Sequence, residues 1–218
     1  ETSPQITELK IASGTLKDTS VSVQIESNEA GIYYFIFNKD SEDTLKAVTA
    51  ENLSSQVIAS AGQGTEIAAN TKVTINKTGL IAGTLYNAYL VVKDKAGNIS
   101  ECSKLEIQTA QEMIDITNAE ITGTAKYTSQ LSVSAQNEKN EPMAYQWYRS
   151  SEAITENTDI DSLEEISCIS DSYTLQKEDV GKYIAVYISI DSTQYSGYAL
   201  AYTSYTVQPK EITAAVQA

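Results

Sequence analysis

Leu175-Gln-Lys-Glu-Asp179-Val-Gly181-Lys-Tyr183 is the stretch that decides the fold, together with the lone tryptophan upstream of it in Tyr145-Gln-Trp147-Tyr148. The nonapeptide reads as a turn feeding a strand. Asp179 can accept hydrogen bonds at the turn, Gly181 can relax the backbone there, and the Tyr183 hydroxyl can satisfy buried backbone. A structural role accounts for all of these residues without a functional site. Beyond the turn, Tyr183 to Ile190 alternates Ile184, Val186, Ile188 and Ile190 with Tyr183, Ala185, Tyr187 and Ser189. That period of two belongs to a half-buried strand.

The same period recurs along the chain. In the second half, Leu131-Ser-Val133-Ser-Ala135, Ala144 to Arg149, Tyr173-Thr-Leu175 and Tyr198 to Val207 read as strands. In the first half the strands are Val21-Ser-Val23-Gln-Ile25, Ile32 to Phe37, Val73-Thr-Ile75, Tyr86 to Val92 and Leu105-Glu-Ile107. Turn residues separate them at Asn28 to Gly31, Asn38 to Asp40 and Asp94 to Asn98. One segment breaks the pattern. Leu53, Val57 and Ala61 lie four apart, with Thr49 placed to cap and Gly62 to stop, which predicts a short helix near 49–61 laid across the edge of the first module. The pattern restarts near Thr109 to Asp115, giving modules at 1–112 and 113–209. Pro209 and the residues after it, 210–218, read as the start of a linker or next module. The connector lacks a flexible composition, so an extended tandem rod is expected.

At 218 residues the chain has room for two independent cores. Its formal net charge of −14 repels phosphate backbones and anionic bilayers, so neither nucleic acid nor a membrane surface is an expected partner. There is no histidine, which removes the commonest general base and metal ligand. No apolar run reaches membrane-spanning length. No basic, apolar leader opens the chain, so the segment is expected to be cytosolic, already processed, or part of something longer. Cys102 and Cys168 fall in different halves, so neither module can hold an internal disulfide. They read as two separate small apolar residues; a bridge between modules stays open only if their Cα atoms approach within about 7 Å.

Two resemblances follow. Leu80-Ile-Ala-Gly83-Thr84-Leu-Tyr86-Asn-Ala88-Tyr-Leu90 and the turn Lys93 to Ser100 resemble the corner, F strand and F–G turn of a fibronectin type III domain, over residues 5–110. The resemblance implies that Thr84 and Tyr86 sit at the corner, with the tyrosine hydroxyl tied to backbone. The helical insert departs from that family's pattern. Residues 116–208 resemble bacterial immunoglobulin-like repeats through Leu-x-Val, Tyr-x-Trp-Tyr-Arg and Leu-x-x-x-Asp-x-Gly-Lys-Tyr in order. Trp147, Leu175, Asp179, Gly181 and Tyr183 are then its core and corner. In an immunoglobulin-like F strand Tyr183 and Ala185 would point inward, whereas the alternation places Ile184, Val186, Ile188 and Ile190 there. Either both faces are covered or the register differs by one residue; the β-branched set is the better core, with Tyr183 folded over the corner. The expected fold is all-β: two tandem antiparallel sandwiches, the first with a helical insert.

Three groups of residues are candidates for more than structure. Ten of the 14 tyrosines lie in the second module, and Tyr195, Tyr198, Tyr202 and Tyr205 crowd its last hairpin, where they could form a platform for a sugar ring or a protein partner. Tyr is also simply a good strand former; by spacing Tyr198 and Tyr202 share a face while Tyr205 opposes them. The clusters Asn38 to Asp43 and Thr158 to Ser162 carry oxygens of the kind calcium takes, but neither matches an EF-hand loop and both read as solvated turns. No nucleophile elbow, phosphate loop or zinc spacing occurs. No catalytic, cofactor or metal residue is assigned, and the sequons at Asn52, Asn76 and Asn98 read as coincidental.

The resemblances and the low cysteine use lean towards a secreted or cell-surface protein of a bacterium. The expected role is a non-enzymatic spacer or adhesion stalk whose partners are other domains of the same polypeptide and a host protein or glycan. An accessory carbohydrate-binding or substrate-presenting module of a glycan-degrading enzyme is the alternative. An enzyme in its own right is the weakest reading, given the missing chemistry.

Overall fold

A computed structural model describes residues 2–210. The chain divides into two compact units, Glu1–Glu112 and Met113–Ala218. The expected next module at 210–218 lies, apart from Lys210, outside the described residues. Each unit is all-β with antiparallel sheets, as the alternating sequence requires.

The first unit carries β1 (Ile6–Ile11), β2 (Ser20–Ser27), β3 (Gly31–Lys39), helix α1 (Ala50–Ala61), β4 (Thr65–Ile67), β5 (Val73–Thr78), β6 (Leu85–Asp94) and β7 (Ser103–Gln108). One sheet has the order β1-β2-β5, the other β4-β3-β6-β7. Val21, Val23 and Ile25 of β2 face Ala88, Leu90 and Val92 of β6 across the core, because each set occupies alternate positions of its strand. β6 is unusual in being buried on both faces over Tyr86 to Val92. Its other face, Tyr89 and Val91, packs with Tyr34 and Ile36 of β3 beneath Leu53, Val57 and Ile58 of α1. The helix therefore covers the face of the longer sheet and not its edge, as spacing alone suggested. The continuous apolar run of Ile32 to Phe37 in β3 and the consecutive burial of Tyr86 to Val92 in β6 demand cover on both sides. Gly62 ends α1 at φ +68, a conformation that glycine adopts without strain.

The second unit, with β8 (Glu112–Met113) at its boundary, carries β9 (Ile116–Gly123), β10 (Gln130–Asn137), β11 (Ala144–Ser150), β12 (Glu164–Ile166), β13 (Ser172–Thr174), β14 (Tyr183–Asp191) and β15 (Tyr195–Tyr202). Its sheets run β13-β10-β9 and β12-β11-β14-β15-β8. Trp147 is fully buried against Ile184, Val186, Ile188, Leu131 and Leu175, and its indole N–H donates to the Ser170 carbonyl at 2.7 Å. Burying one such aromatic contributes about 2–3 kcal/mol before conformational entropy is counted. The β-branched face of β14 is thus the core face, and the tryptophan pairs in register with Val186.

Candidate functional site

The two corners are built differently. In the first unit the Ile81 backbone N–H donates to the Tyr86 hydroxyl at 3.0 Å, while the Tyr86 ring stacks on Phe37 at 5.1 Å. The Thr84 hydroxyl donates to the Ala82 carbonyl at 3.0 Å. Tyr86 lies on the same side of β6 as Ala88 and Leu90, so its hydroxyl reaches the inner side of the turn. In the second unit Tyr183 occupies the outward row of β14, one residue out of step with that arrangement. Its hydroxyl makes no hydrogen bond to another described residue, which corrects its expected corner role.

Asp179 does the tying instead. It is fully buried, and one carboxylate oxygen accepts from the Tyr173 hydroxyl at 2.8 Å and the Gln176 backbone N–H at 2.7 Å. The other accepts from Arg149 at 3.1 Å. Arg149 also pairs with Glu164 at 2.6 Å, and Lys182 pairs with the same carboxylate. Hydrogen bonds from Arg149 and then Lys182 pull the Glu164 pKa down to about 2. Gly181, at φ +82, turns the chain so that its N–H donates to Val207. Leu175 is buried in the adjoining core. Arg149 was not legible as a member of this cluster, because it lies 30 residues from Asp179 and meets it only through sheet register; Tyr173, six residues from Asp179, reads in sequence only as part of a strand.

The acidic cluster at Asn38 to Asp43 is likewise a correction, since Asp43 is buried and not solvated. One oxygen accepts from Asn38 Nδ2 and the Leu45 N–H, both at 3.1 Å; the other accepts from Asn87 Nδ2 at 2.8 Å and the Tyr89 hydroxyl at 2.7 Å. Burial alone would raise the Asp43 pKa, but the bonds from Tyr89, Asn38 and Asn87 outweigh it and hold it below its ordinary value. Burial, followed by the Asp43 bond, drives the Tyr89 pKa well above that of a free phenol. In the second cluster Asp159 accepts from the Asp161 N–H at 3.1 Å and caps a short turn. Among the described residues no three acidic or cysteine side chains are grouped to hold a metal ion. Cys102 and Cys168 are both free, and burial raises the Cys102 thiol to about 11.

The remaining candidate is the outer face of the five-stranded sheet. Register places Tyr148, Ala185 and Tyr202 in one row and Gln146, Tyr187 and Leu200 in the next, with Ser189 beside Tyr198 in a third. Tyr148, Tyr187 and Tyr198 form a diagonal ladder over three strands, and the last two rings stack at 6.0 Å and 19°. Ala185 is fully buried, with Tyr148 and Tyr202 as its register neighbours on either side. Tyr198 is 65% exposed and the other tyrosines of the ladder are half-buried. Of the four tyrosines expected to form a platform, Tyr198 and Tyr202 are on this face. Tyr195 faces the opposite way, with the Lys139 ammonium 5.6 Å from its ring, and Tyr205 lies beyond β15, 75% exposed. Tyr148 and Tyr187 complete the face and were not singled out, although the alternation of β14 placed Tyr187 outward.

No protein-family model and no curated protein matches this chain. Among solved structures it is similar to the crystal structure of chicken CNTN1 FN1-FN3 domains, at 9% identity and a TM-score of 0.32, with 95% of this chain and 68% of that chain covered. A likeness of that size carries nothing about function. The fold stands on the sheets themselves.

Proposed function

We propose that this chain is a non-catalytic pair of β-sandwich modules, fibronectin type III-like then immunoglobulin-like, from a bacterial cell-surface or secreted multidomain protein. It spaces and presents neighbouring domains of the same polypeptide and contributes an adhesive surface. The observation that carries the reading is how the chemistry-bearing side chains are used. Asp43 and Asp179 are committed to holding backbone and buried hydroxyls, so they are not poised to act on a substrate. The adhesive part rests on the tyrosine ladder, which is led by the exposed Tyr198 and is an aromatic surface of the kind that anchors partners.

The test is replacement. In the protein that carries this segment, residues 2–210 are exchanged for an unrelated pair of β-sandwiches of matched length, and display of the neighbouring domains is followed by antibody access on intact cells. Display is expected to survive exchange and to fall on simple deletion. Loss of display on exchange, or turnover of a substrate by the purified pair, overturns the spacer reading.

A further inference from the structure

The longer sheets of the two units treat their outer faces differently. In the first, Tyr34, Ile36, Tyr89 and Val91 lie beneath Leu53, Val57 and Ile58 of α1, and Tyr89 and Val91 are buried. In the second, the corresponding strands β11, β14 and β15 carry Tyr148, Tyr187, Tyr198, Leu200 and Tyr202 outward, and no α-helix occurs among the described residues of that unit. The chain thus shows, in its own first half, what covers an aromatic face on this sheet: one amphipathic helix of about three turns.

Charge narrows the occupant further. The outward rows contain no lysine or arginine, and Glu165 pairs directly with Tyr148 at their margin. Burial first, then Glu165 and Asp161, raise the Tyr148 pKa, so both carboxylates act on that end of the ladder. Such a face repels anions and favours a cationic partner, whose ammonium or guanidinium groups can also rest on tyrosine rings. A stacked sugar is less well served, because Tyr187 and Tyr198 already turn their ring faces towards each other.

We propose that the outer face formed by Tyr148, Tyr187, Tyr198, Leu200 and Tyr202 docks a basic amphipathic α-helix of a partner protein. The apolar stripe of the helix lies along the tyrosine ladder, and its lysines or arginines meet Asp161 and Glu165. The proposal deepens the adhesive part of the function above and rests on it.

The test uses the 218-residue chain and a fluorescein-labelled, stapled helical peptide with leucines at i, i+4 and i+7 and lysines on both flanks. Binding is read by fluorescence anisotropy at physiological ionic strength. Controls are a scrambled peptide of the same composition, a helix with glutamates for lysines, and a soluble neutral glucan. Saturable binding of the lysine-flanked helix is expected, weakened about tenfold or more by Tyr198→Ser and by Glu165→Lys and unchanged by Tyr205→Ser. Unchanged Trp147 emission shows that each variant is folded. Three results overturn the proposal: no saturable binding, equal binding of the scrambled peptide, or no loss in Tyr198→Ser. Glucan binding that Tyr198→Ser abolishes also overturns it, in favour of a carbohydrate surface. None of these outcomes touches the spacer reading, which the exchange experiment tests by itself.

Discussion

Replacing Asp43 by alanine should unfasten the helical insert from the first unit while leaving the second untouched. Of the four donors that Asp43 satisfies, Asn87 keeps a second acceptor in Asp40 at 2.9 Å, and Asn38 is only partly buried. The Tyr89 hydroxyl and the Leu45 N–H have no such recourse, because both residues are almost fully buried. Two orphaned buried donors cost about 1–3 kcal/mol each, so the first unit should lose about 2–6 kcal/mol. With a urea m-value of about 1.5 kcal/mol/M for a unit of this size, its midpoint should fall by about 1–4 M.

The assay exploits the single tryptophan, which lies in the second unit. Far-UV circular dichroism follows both units, whereas Trp147 emission follows the second alone. Asp43→Ala should split the dichroism transition and leave the Trp147 midpoint in place. Tyr89→Phe, which removes one donor and keeps the ring, should cost about 1 kcal/mol and be less than additive with Asp43→Ala. Because the folded pKa of Asp43 lies below its unfolded value, its contribution is full above about pH 4 and fades as the pH falls through the folded pKa. Tyr89 has the opposite sign: its contribution is full below about pH 10 and is lost as the pH climbs towards its raised folded value. An unchanged dichroism profile in Asp43→Ala would refute the reasoning, as would full additivity with Tyr89→Phe.

The corners make a paired prediction: Tyr86→Phe should cost the first unit about 1 kcal/mol by removing the hydrogen bond from the Ile81 N–H, whereas Tyr183→Phe should stay within about 0.5 kcal/mol by Trp147 emission. Asp179→Ala leaves the mostly buried Arg149 with Glu164 alone and strands the Tyr173 hydroxyl, so the Trp147 transition should drop by about 3 kcal/mol. Glu164 is depressed to about 2, so its contribution is present above about pH 4.5 and disappears as the pH falls towards 2; Glu164→Gln should flatten the acid limb of the Trp147 urea midpoint in that window.

Most of the fold was legible because alternation reports which faces are wet. β2 and β14 each carry β-branched residues at every second position, and all of those positions are buried. The helix at Ala50–Ala61 was legible from its four-residue spacing and from Gly62. Its location was not, since spacing within one element says nothing of the partner element. The clue lay elsewhere, in the continuous apolar run of β3 and β6, which only a sheet covered on both faces can bury. The tyrosine face was half legible. Tyr198 and Tyr202 follow from parity within β15, but Tyr148 and Tyr187 join them only through a cross-strand register that no single strand encodes.

The two buried carboxylates explain why the corner motif misled in the second unit. A tyrosine hydroxyl can tie back one or two backbone groups, and only if its strand places it on the inner side. A carboxylate has about four acceptor sites, so it can gather donors from unrelated elements at a strand end without depending on strand parity. Asp43 gathers Asn38, Leu45, Asn87 and Tyr89; Asp179 gathers Arg149, Tyr173 and Gln176. In the second unit Asp179 performs that task, Tyr183 stands in the outward row, and the β-branched set of β14 faces the core. The same parity puts Tyr187 in the outward row of β14, where register joins it to Tyr148 of β11 and to Tyr198 and Tyr202 of β15, so the altered corner and the β14 part of the proposed surface follow from the same alternation.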